Sequence, residues 1–318
     1  MQSGRNQRCC YGDIKGELKG MFKIKVPASS ANLGCGFDTL GIALQKYNTF
    51  SFQRADTFKL GKGFLDIHRT ENNLILCSLK TALKILNKHI DGVEVSIEID
   101  VPVSRGLGSS ATCIIAGVLA AYILSGTPID KLQAYQICSD IETHADNIAA
   151  ALFGGLTLAY KNNDGWQYEK YIPSEMYDFC VFIPNFKLST IKARKALPKT
   201  LTYADCINNI SRTALMITGL TKPQPELLRE AVRDRLHQPY RIPLIDEYEK
   251  VESFALNNNA YAAFISGAGP SMMTIIDKKN TRSFLDEFHK NNKKLLKHQW
   301  TALPLSIDIN GVEIIFEG

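Results

Sequence analysis

The sequence predicts an α+β protein of two halves. Three observations carry this. Alternating segments such as VEVSIEIDV (Val93–Val101) and apolar segments at helical spacing such as Ser109–Leu124 both occur. They do not follow one another in steady β-α-β alternation, which argues against a doubly wound sheet. The chain also changes character around Tyr168–Pro173, placing a boundary near residue 168 in a chain of 318 residues.

The elements follow in order. Residues 1–20, MQSGRNQRCCYGDIKGELKG, are polar and glycine-rich and read as an extension outside the fold. Met21–Pro27 alternates apolar and basic residues, and Ala43–Phe52 alternates similarly, so both are expected strands. Leu74, Leu79, Leu83 and Leu86 give Asn73–Lys88 a helical stripe. Pro128 and Asp130 open a helix expected to reach Asn147. Gly154-Gly155 breaks it before a strand at Leu156–Lys161. Further strands are expected at Phe179–Ile183, Ala262–Ile265 and Met272–Ile276. Helices are expected at Tyr203–Thr218, Pro225–Arg235, Ile245–Leu256 and Ser283–Lys294.

Composition narrows the function classes. The hydrophobic fraction is 45% and the net charge +5, from 37 basic and 32 acidic residues. That excess is weak and dispersed, so no nucleic-acid partner is expected. No stretch approaches the roughly 20 apolar residues of a membrane span, and no apolar signal segment precedes the fold. The eight cysteines form no C-x-x-C and no zinc spacing with histidine. They read as reduced thiols of a cytoplasmic protein.

Four segments carry chemistry. PVSRGLGSSAT (residues 102–112) links an expected strand to an expected helix. Gly106 and Gly108 free the backbone for close approach, and Ser109 and Ser110 fall at a helix start, where free N–H groups favour an anion. This is the chemistry of a phosphate cradle without a Walker lysine, although a simple helix cap would read alike. SGAGPS (266–271) is a glycine turn between two strands, and ASSANLGCGFD (28–38) reads alone as a loop with two polar side chains, Asn32 and Asp38. ETHADNIAAALFGG (142–155) crowds Glu142, His144, Asp146 and Asn147. One carboxylate there suits magnesium, and His144 alone reads equally as a cap or core histidine.

In this order the four segments resemble the GHMP kinase superfamily, from Met21 onward. Pro102–Ala111 paired with a late S-G-x-G-P-[ST] is specific to it. P-A-S-S-A-N-L-G-x-G-F-D (Pro27–Asp38), S-T-I-K-A-R-K-A-L-P and D-R-L-H-Q-P-Y-R are together most similar to the homoserine kinases. The resemblance implies a two-domain GHMP kinase fold. Residues 21–168 would form an ATP-binding, ribosomal-protein-like β-α-β domain with a left-handed crossover, and residues 169–318 a ferredoxin-like domain. It implies phosphorylation of L-homoserine by ATP with Mg2+ in threonine biosynthesis.

The implied site residues follow the motif matches. ATP falls on Pro102, Val103, Ser104, Arg105, Gly106, Leu107, Gly108, Ser109, Ser110, Ala111 and Thr112. Magnesium falls on Ser110 and Glu142, and these two act in catalysis with Asn147. Substrate falls on Asn32, Asp38, Thr190, Arg194, Arg241 and Gly267, the two arginines gripping its carboxylate bidentately. No dedicated base is implied, and Asp146 reads as part of the turn. A homodimer is left open. Cys35, Thr143 and Ala145 depart from the usual proline, glycine and proline. The alternatives are another GHMP kinase, of shikimate or mevalonate type, or a non-catalytic ligand-binding member.

Overall fold

The first strand alternates only as far as Pro27, yet its pairing runs further. The computed structural model describes residues 20–70 and 72–317, so the expected N-terminal extension lies, apart from Gly20, outside the described residues. Strand β1 (Phe22–Ala31) buries Phe22, Ile24 and Val26 and pairs antiparallel with β2 (Leu40–Arg54), with a bulge between Pro27 and Ala28. Residues 28–31, read as loop from the sequence, are thus strand. Ser29 and Ser30 are fully buried there, and small side chains are what such a crowded position accepts.

The sheet grows from this pair. β3 (Lys59–Leu60) is followed by helix α1 (Leu74–Ile85), capped by Asn73, whose side chain accepts from the amides of Ile75 and Leu76. β4 (Val93–Glu98) then pairs with both β2 and β3. Helix α2 (Ser109–Leu124) spans the predicted residues and is buried almost all round. The helix expected from Asp130 to Asn147 is two helices, α3 (Lys131–Glu142) and α4 (Asp146–Phe153). The chain breaks where Thr143 adopts the left-handed conformation, φ 68°, a position glycine usually fills. A hairpin of β5 (Leu156–Asn162) and β6 (Gly165–Tyr171) extends from β2. The division expected at residue 168 falls inside β6.

The second half opens with β7 (Tyr177–Pro184). Five helices follow: α5 (Thr190–Lys195), α6 (Tyr203–Thr221), α7 (Pro225–Ala231), α8 (Gln238–Arg241) and α9 (Tyr248–Asn257). β8 (Ala262–Ile265), β9 (Met272–Asp277), α10 (Thr281–Leu295) and β10 (Trp300–Leu305) complete an antiparallel sheet of order β10-β7-β9-β8. Read across the sheet, its strands are the fourth, first, third and second in chain order, the ferredoxin-like arrangement. β11 (Glu313–Phe316) then returns to the first sheet and pairs antiparallel with β1.

Three apolar clusters fill the interior. One lies between the first sheet and α1, α2, α3 and α4. A second joins the two sheets through Leu33, Leu40, Phe179, Met216 and Phe264, and a third underlies α9 and α10. Cys35, Cys138 and Cys180 are buried free thiols, and Cys77, Cys113 and Cys206 are half-buried and also unbridged. Among the described residues no helix is long and apolar enough to cross a membrane.

The close crossing of α1 and α2 rests on Gly117, where a Cβ would collide with the carbonyl oxygen of Ile75. Gly117→Ala is therefore expected to destabilise the protein by about 1–3 kcal/mol despite its better helix propensity. Thermal unfolding would show Tm lower by about 3–10 °C; an unchanged or higher Tm would mean that the helices part easily.

Candidate active site

Three of the motif segments meet at one seam. Gly108 (φ 68°) is the N-cap of α2, and Gly106 (φ 72°) precedes it. A side chain on Gly108 would strike Ser29, and one on Gly106 would strike the carbonyl of Ser266. Ser266 Oγ donates to the Gly106 carbonyl at 2.7 Å and lies 2.9 Å from Ser30 Oγ. The Gly267 amide donates to the Ala31 carbonyl at 3.0 Å, and the Ser29 amide to Leu107 at 3.2 Å. The glycine turn of the second half thus closes on the cradle of the first. The first-turn N–H groups of α2, which have no acceptor within the helix, lie at this mouth.

A cavity of about 410 Å³ opens from the seam. Val103 to Ser110 line one side of it, and Asn32, Asp38, Thr190, Arg194, Arg241 and Gly267 another, with Glu142, His144, Asp146 and Asn147 also in the wall. Pro102 and the buried Ala111 and Thr112 lie outside the lining. Thr112 instead accepts from Asn48 at 2.9 Å, and Asn48 accepts the amides of Asp100 and Val101, both at 3.0 Å, which fixes the loop leading into the cradle.

Arg194 and Arg241 converge beside Asn32. Arg194 donates from one terminal nitrogen to both Asp38 oxygens, at 2.8 and 3.0 Å. Arg241, 1% exposed, donates to the Gly267 carbonyl at 3.0 Å. Asn32 donates to the same carbonyl at 2.9 Å and accepts the Asp38 amide at 2.8 Å. The Nε atoms of both arginines are buried and have no partner. Burial, the larger cause, and the neighbouring Arg194 lower the pKa of Arg241 to about 10, against the pull of Asp38. The guanidinium stays charged at neutral pH.

The segment that presents Arg241 is held by Asp234. Its carboxylate accepts from the amides of Leu236 (3.1 Å), His237 (2.8 Å) and Gln238 (2.5 Å) and from Asn209 Nδ2 (2.5 Å). No sequence signal singles out Asp234, although an aspartate two to four residues before the amides that donate to it is a turn and helix-start pattern.

At the centre, Ser110 Oγ donates to Glu142 Oε2 at 2.9 Å. Burial raises the pKa of Glu142, and the Ser110 hydrogen bond partly offsets this. A hydroxyl and one carboxylate at the mouth of a phosphate cradle fit Mg2+, which takes its remaining ligands from phosphate oxygens and water. Among the described residues no cluster of three His, Cys, Asp or Glu is gathered. Asn147 Oδ1 accepts from Ser29 Oγ at 2.9 Å. The buried Asp146 accepts the Asn147 amide at 2.7 Å. His144 is half-buried, its Nδ1 3.1 Å from the Glu142 carbonyl. Burial first, then Arg194, lower its pKa, so the ring is neutral.

Known proteins share this architecture and sequence. The GHMP kinases N terminal domain model matches residues 73–155 and the GHMP kinases C terminal model residues 216–294. A homoserine kinase of Clostridium beijerinckii is 40% identical over 299 residues, 93% of this chain and 99% of its own. One from Clostridium botulinum is 38% identical over 300 residues, 92% and 98% of the two chains. The chain belongs to the homoserine kinase family of GHMP kinases. The crystal structure of homoserine kinase from Cytophaga hutchinsonii superposes with a TM-score of 0.83 at 24% identity, over 94% of this chain and 99% of that one, and shows the shared fold.

One part of the site in this homoserine kinase family member lies outside the four motif segments. Phe64, Ile67, His68, Asn72, Leu74, Ile97 and Ile99 also line the cavity. They come from the β3–α1 connection, the start of α1 and the end of β4. An apolar run at the edge of a loop carries no motif by which to find it.

Asp146 makes the site pH-sensitive. Burial, and secondly Asp38, raise its pKa from 3.8 to about 7. The folded state therefore holds this proton more tightly than the unfolded chain. Stability falls as pH rises between those values. Asp146→Asn keeps the acceptor for the Asn147 amide but does not ionise. Denaturant midpoints taken from pH 4 to pH 7 should show the variant gaining on the wild type as pH rises, by at most about 4 kcal/mol. Parallel curves would mean that Asp146 is ionised at no cost.

Proposed function

We infer that this chain is a kinase that transfers the γ-phosphoryl group of ATP to the side-chain hydroxyl of L-homoserine, a step of threonine biosynthesis. Membership of the family supports the reaction class. The choice of substrate rests on one arrangement: two guanidinium groups with unpartnered buried Nε atoms, one of them paired with the Asp38 carboxylate, line the same cavity as the phosphate cradle. L-Homoserine offers a carboxylate to the arginines, an ammonium to Asp38 and a hydroxyl to the cradle.

The roles follow from the chemistry of the groups. The helix start at Ser109 and Ser110 and the glycine turn around it hold the phosphates through backbone N–H groups. Arg194 and Arg241 take the substrate carboxylate. Each charge-assisted hydrogen bond there is worth about 1.5–3 kcal/mol. Asn147, held by Ser29 and by Asp146, orients the hydroxyl. Ser110 and Glu142 would hold Mg2+, which when bound supplies positive charge for the transferring group. No base is required of the protein when geometry and charge stabilisation lower the barrier, as in phosphoryl transfer generally.

ADP release measured with ATP, Mg2+ and a panel of alcohols tests this reading. L-Homoserine should be turned over far better than shikimate or mevalonate, with O-phosphohomoserine as product. Preference for either of the others would overturn the substrate. Arg241→Leu should raise KM for homoserine about ten- to a hundredfold while KM for ATP stays put. Equal loss of both would make the arginine a structural residue. Glu142→Ala should lower turnover at ordinary magnesium concentrations. Undiminished turnover when magnesium is limiting would remove the carboxylate from the metal site.

A further inference from the structure

Both arginines rest on one aromatic ring. Arg194 Cζ lies 5.4 Å from the centroid of Phe37, and Arg241 Cζ 5.1 Å from it. The imidazole of His237 stacks on the same ring, with centroids 5.2 Å apart and planes 26° from parallel. His237 is fully buried. Its Nε2 lies 2.9 Å from the Gly34 carbonyl, and a carbonyl only accepts, so Nε2 carries the hydrogen. Nδ1 is left as a buried lone pair without a partner. A neutral, immobile ring thus backs Phe37, and the Asp234 turn fixes its backbone.

We propose that Phe37 is a positioning residue for substrate recognition: its ring sets the angle at which the two guanidinium groups meet the substrate carboxylate. The proposal rests on the clamp reading given above. Two like charges this close repel, and the neighbouring Asp38 carboxylate bonds only Arg194 directly. The negative face of an aromatic ring attracts a cation without occupying any N–H donor. It therefore seats both guanidinium groups while leaving their donors for the ligand. An aliphatic side chain of similar bulk would fill the space but offer no such face, and the repelling cations would splay. Phe37 is a loop residue next to Asp38, in a segment pinned to the second half. The Cys35 amide donates to the Ala231 carbonyl at 3.2 Å, and the Cys35 carbonyl accepts from Thr213 at 3.0 Å. The ring has little freedom to move aside.

Steady-state kinetics of the full chain with ATP and L-homoserine test this. Phe37→Leu should raise KM for homoserine about tenfold or more, with kcat at saturation and KM for ATP changed less than about twofold. Phe37→Tyr, which keeps the ring face, should restore KM to within about threefold of wild type. The double variant Phe37→Leu/Arg241→Leu should be little worse than Arg241→Leu alone, because Phe37 acts through the arginines. An unchanged homoserine KM in Phe37→Leu, a proportional loss of kcat and both KM values, or full additivity in the double variant would each overturn the proposal. If Phe37→Leu melts below the assay temperature, Phe37→Met provides the same comparison with a flexible apolar filler. Should the wild type prefer another carboxylate-bearing alcohol, the substrate reading fails, and the Phe37 series is then decided on that alcohol.

Discussion

The molecule is organised around a backbone contact that only glycine permits. Gly106 and Gly267 face each other where the two halves of the chain meet, and Ser266 ties the Gly106 carbonyl to Ser30 at the end of β1. The remaining site inherits its geometry from this seam. The start of α2 is aimed by it. Asn32 and Arg241 converge because both donate to the carbonyl of Gly267. A carbonyl with two lone pairs shared by an amide and a guanidinium is a small junction, yet it links residues more than 200 positions apart. A group of this kind is expensive to leave unmatched in a buried setting.

Electrostatics in the cavity are deliberately uneven. Three cationic or potentially cationic groups, Arg194, Arg241 and His237, surround Phe37. Burial pushes the histidine toward neutrality while Arg241 stays charged. In the same cavity, burial raises the pKa of both the Glu142 and the Asp146 carboxyl. The cavity therefore keeps positive charge at Arg241 and restrains negative charge at its buried carboxyls.

Much of this was legible in the sequence, for identifiable reasons. Helix α2 was bounded correctly because Gly108 and Ser109 mark its start chemically. β4, β8 and β9 were found because alternation or apolar continuity survives in short segments. β1 was cut short at Pro27 because Ala28–Ala31 is small and polar, and its serines are buried only by partners such as Ser266 and Asn147. β10 and β11 were not seen. Their partners β7 and β1 are distant, and Pro304 weakens the strand signal, though an edge strand tolerates it. The break at Thr143 was hidden because a β-branched residue seldom adopts a positive φ. The convergence of Asn32, Asp38, Arg194 and Arg241 came from resemblance alone. No periodicity connects positions so far apart, and although Phe37, His237 and Asp234 stand in the matched motifs, their bracing contacts depend on the folded chain.

The return of β11 to β1 bears on how the chain is made. During synthesis β1 and β2 leave the ribosome early, but β1 is flanked on its other side only by a strand that follows the whole second half. Until then β1 presents an open row of amide and carbonyl groups, which invites wrong pairing with another nascent chain. Lys23 and Lys25 project from that edge and meet Glu317 and Glu313 once β11 docks. The same lysines thus serve first as a charged guard on an unfinished sheet and afterwards as half of its closing ion pairs.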